Sequence, residues 1–194
     1  MNEIVLASAN KKKIAELHEL LEGFTVLSLK DIGFEQEIEE PYFTFNENAF
    51  QKANTIHQFC GQNVLADDSG ICVSALNDRP GVLSARYAGE GANDQSNLEK
   101  VLQELQGQPN RRAYYKAVLC LIWKGEAHYF EGECHGTLIE NPIGDNGFGY
   151  DPIFVPDGYS ETFAQLSATL KQQISHRAQA MQQLVAFVQQ SLQV

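Results

Sequence analysis

Val64-Leu65-Ala66-Asp67-Asp68-Ser69-Gly70 is the stretch that most restricts how this 194-residue chain can fold. An apolar run ends in two adjacent carboxylates, a hydroxyl and a glycine, and it reads as a buried strand delivering acids to a turn. Open α/β sheets bind their ligands at the carboxyl ends of strands. Neighbouring like charges destabilise a fold unless a cation or water receives them. A plain surface turn competes with this reading, because Asp, Ser and Gly favour turns for local reasons.

The net charge of −11, from 25 acids against 14 Lys plus Arg, argues against a nucleic-acid polymer as partner, since duplex affinity comes largely from cations that neutralise phosphates. A small phosphorylated ligand needs only a few local cations and stays open. A chain with 43% hydrophobic and 20% charged residues has ordinary globular composition, and its length suits one domain, residues 1–194, with room for a lobed extension. No apolar stretch approaches the ~20 residues that span a bilayer. The amino terminus runs straight into Ile4-Val5-Leu6-Ala7 without a signal-peptide pattern, so a cytoplasmic protein with no membrane partner is expected. Cys60, Cys72, Cys120 and Cys134 lack metal-ligand spacing and read as reduced core residues.

A strand over Glu3 to Ala7 leads into Ser8-Ala9-Asn10-Lys11-Lys12-Lys13 and a helix striped by Ile14, Leu17, Leu20 and Leu21. Lysines in a first helical turn oppose the macrodipole. A bound anion would relieve the conflict, with backbone N–H groups and Lys13 forming a phosphate cradle; a solvated lysine run is the alternative. A second strand is expected around Thr25 to Leu29. Thr44-Phe45-Asn46-Glu47 has the form of a capping box, opening a helix striped by Ala49, Ala53, Ile56 and Cys60. Lys52 lies off that stripe. Glu40, just upstream, can join Asp67 and Asp68, and three carboxylates from two segments suit a hard divalent cation such as magnesium.

Arg79 to Gly89 reads as a long link, and Asn93 or Asp94 caps a helix carrying Leu98, Val101, Leu102 and Leu105. Tyr114 to Trp123, the turn Lys124-Gly125 and Glu126 to Cys134 form a hairpin, which Gly136 to Ile139 extend. Gly144 to Phe154 places glycines and aromatics in a loop before a strand, where backbone can approach a ligand and an aromatic can stack on a base. A glycine-rich hairpin with Phe148 packed inward fits the same residues. In Lys171-Gln172-Gln173-Ile174-Ser175-His176-Arg177, Ser175 caps a last helix striped by Ala178, Met181, Val185, Val188 and Leu192. Its basic start again opposes the dipole, and His176 and Arg177 can meet a phosphate or the acceptor edge of a base.

Ser8-x-Asn10-x-x-Lys13, Glu47-Asn48-Ala49 with Lys52, Ala66 to Gly70, Pro80-Gly81-x-x-Ser84-Ala85-Arg86-Tyr87, Gly147 to Pro152 and Ser175-His176-Arg177 occur in one order along nearly the whole chain. Together they resemble the inosine/xanthosine triphosphate pyrophosphatases. Leu83, Ala9 and Asp145-Asn146 depart from that pattern without removing a side chain expected to carry chemistry.

The resemblance implies an α/β fold, a long twisted mixed sheet flanked by helices in two lobes around a central cleft. It also implies a homodimeric, magnesium-dependent hydrolase that converts ITP, dITP and XTP to the monophosphate and pyrophosphate. By similarity, Asp68 accepts a proton from water and holds magnesium with Glu40, while Asp67 supports them. Ser8, Ala9, Asn10, Lys11, Lys12, Lys13, Lys52, Ser69 and Lys171 bind phosphates or ribose. Phe148, Gly149, Tyr150 and Asp151 with His176 and Arg177 receive the base. Donors aimed at a 6-keto oxygen would be left unpaired by adenine, at ~1–3 kcal/mol per buried group. Two other classes stay in view: an acid-nucleophile phosphatase, disfavoured by the absence of DxD spacing, and a nucleotide-binding module without turnover.

Overall fold

The computed structural model describes residues 3–8, 21 and 23–191. The expected first helix and the cradle residues Ala9, Asn10, Lys11, Lys12 and Lys13 lie outside the described residues, as does Leu192. The described strands form one mixed sheet in the order β2-β1-β3-β5-β6-β7, with a short β4 paired to β3. Their ranges are Glu3–Leu6, Thr25–Leu27, Asn63–Val73, Arg79–Pro80, Arg112–Trp123, Glu126–Leu138 and Phe154–Pro156 for β1 to β7. Helices α1 to α4 cover Phe45–Cys60, Asp94–Glu104, Ala168–Ile174 and His176–Ser191. The chain divides into two compact units: Met1–Asp68, Val118–Phe130 and Ala180–Val194 in the first, Ser69–Ala117 and Glu131–Gln179 in the second.

In the first unit β1 pairs parallel with both β2 and β3, with Leu6 opposite Leu65. Parallel strands covered on both faces read as continuous apolar runs, which is what Ile4-Val5-Leu6 and Val64-Leu65-Ala66 are; all six are buried. Helix α1 starts where Thr44 Oγ1 accepts from Glu47 N–H at 3.2 Å, and it ends at Gly61, whose φ of 69° is the left-handed C-cap conformation. Its buried stripe is Ala49, Ala53 and Ile56. Lys124 and Gly125 both have positive φ, at 51° and 87°, which matches the two-residue turn expected between β5 and β6.

The second unit has a core of Ile71, Val73, Leu98, Val101, Phe154 and Phe163 with their neighbours. Helix α2 begins with a reciprocal capping box in which Asn93 Oδ1 accepts from Ser96 N–H and Ser96 Oγ accepts from Asn93 N–H, both at 2.9 Å. Strand β6 is one continuous element rather than a strand with a separate extension. The 79–89 link is also less irregular than expected: β4 and a 3-10 helix over Gly81–Arg86 occupy most of it.

Three further expectations need correcting. The acids do not end a strand: β3 runs through Asp67, Asp68, Ser69 and Gly70 to Val73. Asp and Gly are poor strand formers, so propensity misplaces the boundary. Close packing wins because a Cβ at residue 70 would collide with Gly81 O and Ser84 Oγ. Lys171 belongs to the last turn of a separate helix, α3, where a cation suits the macrodipole. Finally, α4 buries Ala180, Met181, Leu184 and Val188, a stripe rotated from the expected Ala178 and Val185.

Candidate functional site

In the first unit, two carboxylates from separate segments meet on one ammonium. Lys52 Nζ donates to Glu40 Oε1 and lies 3.8 Å from Asp68 Oδ1. The side chains of Lys52, Glu40 and Asp68 are 13%, 25% and 8% exposed, so the charges are largely out of water. Local hydrogen bonds hold Glu40 here. The fully buried Asn48 accepts from Tyr42 N–H at 3.0 Å and donates to Tyr42 O at 3.2 Å, clamping the chain just after Glu40 onto α1. Asp67 is also buried, one residue along β3. Ser8 follows β1 at the end where Ala7 N–H donates to Leu65 O at 2.8 Å, close in register to the acidic part of β3.

Glu40 and Asp68 present hard oxygen donors, the type magnesium takes when it binds one or two carboxylates and keeps waters and phosphate oxygens. Among the described residues no group of three or more His, Cys, Asp or Glu is arranged as a metal cage. The oxygen donors of Glu40 and Asp68 are of the type that fits a hard divalent cation such as magnesium.

The second unit gathers a different set. Asp151 is buried beside the glycine loop, where its Oδ2 accepts from Phe148 N–H at 2.9 Å and from Lys171 Nζ. A Cβ at Gly147, whose φ is +84°, would strike the Asp151 carboxylate, so glycine is required for this approach. Phe148 is 74% exposed, the opposite of an inward-packed hairpin aromatic. Lys171 lies 4.8 Å from the centre of its ring, within cation–π range. The loop is also held at Gly149, whose N–H donates to Asp94 Oδ2 at 2.8 Å, and at Tyr150, whose hydroxyl donates to Ser84 O at 2.8 Å. Burial, then the nearby charges of Tyr87 and Asp94, push the Tyr150 phenol well above its ordinary range, so it stays a donor.

Ser175 Oγ caps α4 by accepting from Ala178 N–H at 3.2 Å. The next residue, His176, lies flat against Tyr115, with centroids 4.9 Å apart and planes 9° from parallel. Arg177 is half-buried beside it and Ser69 is exposed on β3. Thus the structure brings Glu40, Lys52 and Asp68 together, and separately Phe148, Asp151 and Lys171. Lys171 keeps company with the glycine loop. Sequence reasoning missed Asp94, considered only as a cap, and Tyr115, which sits in an aromatic strand that composition assigns to core.

Residues 4–187 match the model of the Ham1 family. A dITP/XTP pyrophosphatase of Flavobacterium psychrophilum is 47% identical over 186 residues, spanning 95% of this chain and 98% of that protein. The Staphylococcus aureus Ham1 protein superposes with a TM-score of 0.94 at 39% identity, over 97% of this chain and 99% of that one. A structure described as a nucleoside-triphosphatase and dITP/XTP pyrophosphatase of Mycobacterium abscessus gives 0.84 at 41% identity, over 94% and 98% of the two chains.

Proposed function

The chain belongs to the Ham1 family, and from that premise we propose that it is a hydrolase of deaminated purine nucleoside triphosphates, cleaving ITP, dITP or XTP to the monophosphate and pyrophosphate. The observation that carries the mechanistic part of this reading is the convergence of Glu40 and Asp68 on Lys52. Adjacent buried carboxylates are costly unless cations offset them, and a triphosphate with its counter-cation supplies a reason to keep them. Asp68 accepts the proton of the attacking water, with Asp67 in support. Glu40 and Asp68 would hold magnesium, which when bound would neutralise charge on the polyphosphate and help orient it for in-line attack. Lys52, beside both carboxylates, is the cation that would meet phosphate oxygens. Ser8, Ser69 and the basic segment Ala9 to Lys13 bind phosphates or ribose.

The exposed Phe148 ring offers a stacking face for a purine, with Gly149 and Tyr150 shaping the loop around it. His176 and Arg177 present donors to the 6-keto oxygen. Lys171 and Asp151 order the loop and stand ready for the ribose or the base edge. The enzyme acts as a homodimer, as the family resemblance implies, and in the cytoplasm without a polymer or membrane partner, as its charge, hydropathy and cysteine usage suggest. Among the described residues no helix is long and apolar enough to cross a membrane.

One assay tests this reading. Purified protein is incubated with ITP and with ATP, with magnesium or with EDTA, and the products are separated. Inosine monophosphate with pyrophosphate, formed from ITP and only with the divalent cation, is the expected result. Release of IDP and orthophosphate would instead indicate a phosphatase, and binding without turnover a sensor.

A further inference from the structure

Tyr115 has no role in the scheme above, yet it touches both groups assigned to the base. Its ring stacks on His176. Its hydroxyl donates to Asp151 Oδ1 at 3.3 Å, and the other oxygen of that carboxylate holds Phe148 N–H and Lys171. The ring cannot re-aim freely, because Phe154 packs edge-on at 4.8 Å and Phe163 lies at 5.9 Å. All of these residues belong to the second unit, so the connection is internal to one compact body. The phenol is driven well above its ordinary range by burial first and the Asp151 charge second, and it therefore remains a donor throughout the working pH range.

Resting on the nucleotide reading above, we propose that Tyr115 is a positioning residue: it sets the distance and orientation between the Phe148 loop and His176, and so sharpens the choice of base. Without the hydroxyl, Asp151 keeps Lys171 but loses the contact that ties it to β5. The loop can then drift relative to a histidine still fixed by the stacked ring. Base binding weakens, while chemistry at the phosphorus, governed by other residues, does not.

Tyr115→Phe separates hydroxyl from ring. Its KM for ITP should rise roughly three- to tenfold, the net scale of one ordinary hydrogen bond, with kcat within about twofold. The ITP-over-ATP ratio of kcat/KM should narrow by a similar factor, and hydrogen exchange at the Phe148 amide, measured without nucleotide, should quicken. Tyr115→Leu should additionally move the His176 ring resonances, which Tyr115→Phe leaves in place. Unchanged KM, base preference and Phe148 exchange in the Phe variant would overturn the proposal, as would a loss confined to thermal stability. If the unaltered protein releases no pyrophosphate from ITP, the nucleotide reading falls, and the Phe148 exchange rates alone then decide whether Tyr115 holds the loop.

Discussion

Lys52 is largely buried against two acids, so changing either partner alters the charge balance. Asp68→Asn keeps the shape but removes the carboxylate proposed to accept the proton. Turnover of ITP should fall by roughly 10²-fold or more, the range for loss of a general base, while nucleotide binding stays measurable by calorimetry. Retained turnover would take Asp68 out of that role. Gly70 shows a purely steric requirement: Ile71 N–H donates to Ser84 Oγ at 2.9 Å and Ser84 Oγ donates to Gly81 O at 2.6 Å, so the backbone around it cannot yield. Gly70→Ala should cost about 2–3 kcal/mol by overpacking, read as a lower urea midpoint. At this scale the acids stood out in the sequence, because two adjacent carboxylates directly after an apolar run call for a cation or water to meet them, though their place inside β3 was not legible. Nor was the partner of Asp68, since Lys52 is 16 positions away in sequence with no spacing rule to join them.

Helix ends were the most readable elements. Thr44 and Gly61 bracket α1, and Asn93 opens α2, because capping residues act on backbone groups within one turn. Asn93→Ala should therefore destabilise the protein by about 1 kcal/mol, measured by chemical denaturation, with ITP kinetics unchanged; a neutral effect would mean that the box adds nothing beyond solvation. Interior boundaries were harder. Strand β3 continues through Asp67 to Gly70 because β4 and Ser84 pack onto its far half, and that far half is specified by tertiary contact, not by local preference. The rotated stripe of α4 has the same origin: Phe187 meets His128 at 4.4 Å and Phe130 at 5.5 Å, contacts made with a distant hairpin.

For the molecule as a whole, three buried thiols make stability pH-dependent on the alkaline side. Burial, the largest cause in each case, raises Cys72 and Cys134 to about 11 and Cys120 to about 12, from 9.0. Between pH 9 and these values the folded chain keeps protons that the unfolded chain has lost. Stability is therefore full below pH 9 and falls as pH rises, by at most about 1.4 kcal/mol per thiol per pH unit. Urea midpoints at pH 8, 9.5 and 10.5 should decline in that order, and a flat series would contradict the burial of these groups. By itself the sequence determined the class of fold and the family resemblance, and it named the residue types proposed to carry chemistry, because apolar periodicity, caps and ordered motifs are local patterns. Only the tertiary structure decided that Glu40 and Asp68 share Lys52, that Lys171 serves the glycine loop, and that Tyr115 joins that loop to His176. Those pairings span 12 to 61 positions of chain, and they follow from packing and from the burial of charge, which act only after the chain has folded back on itself.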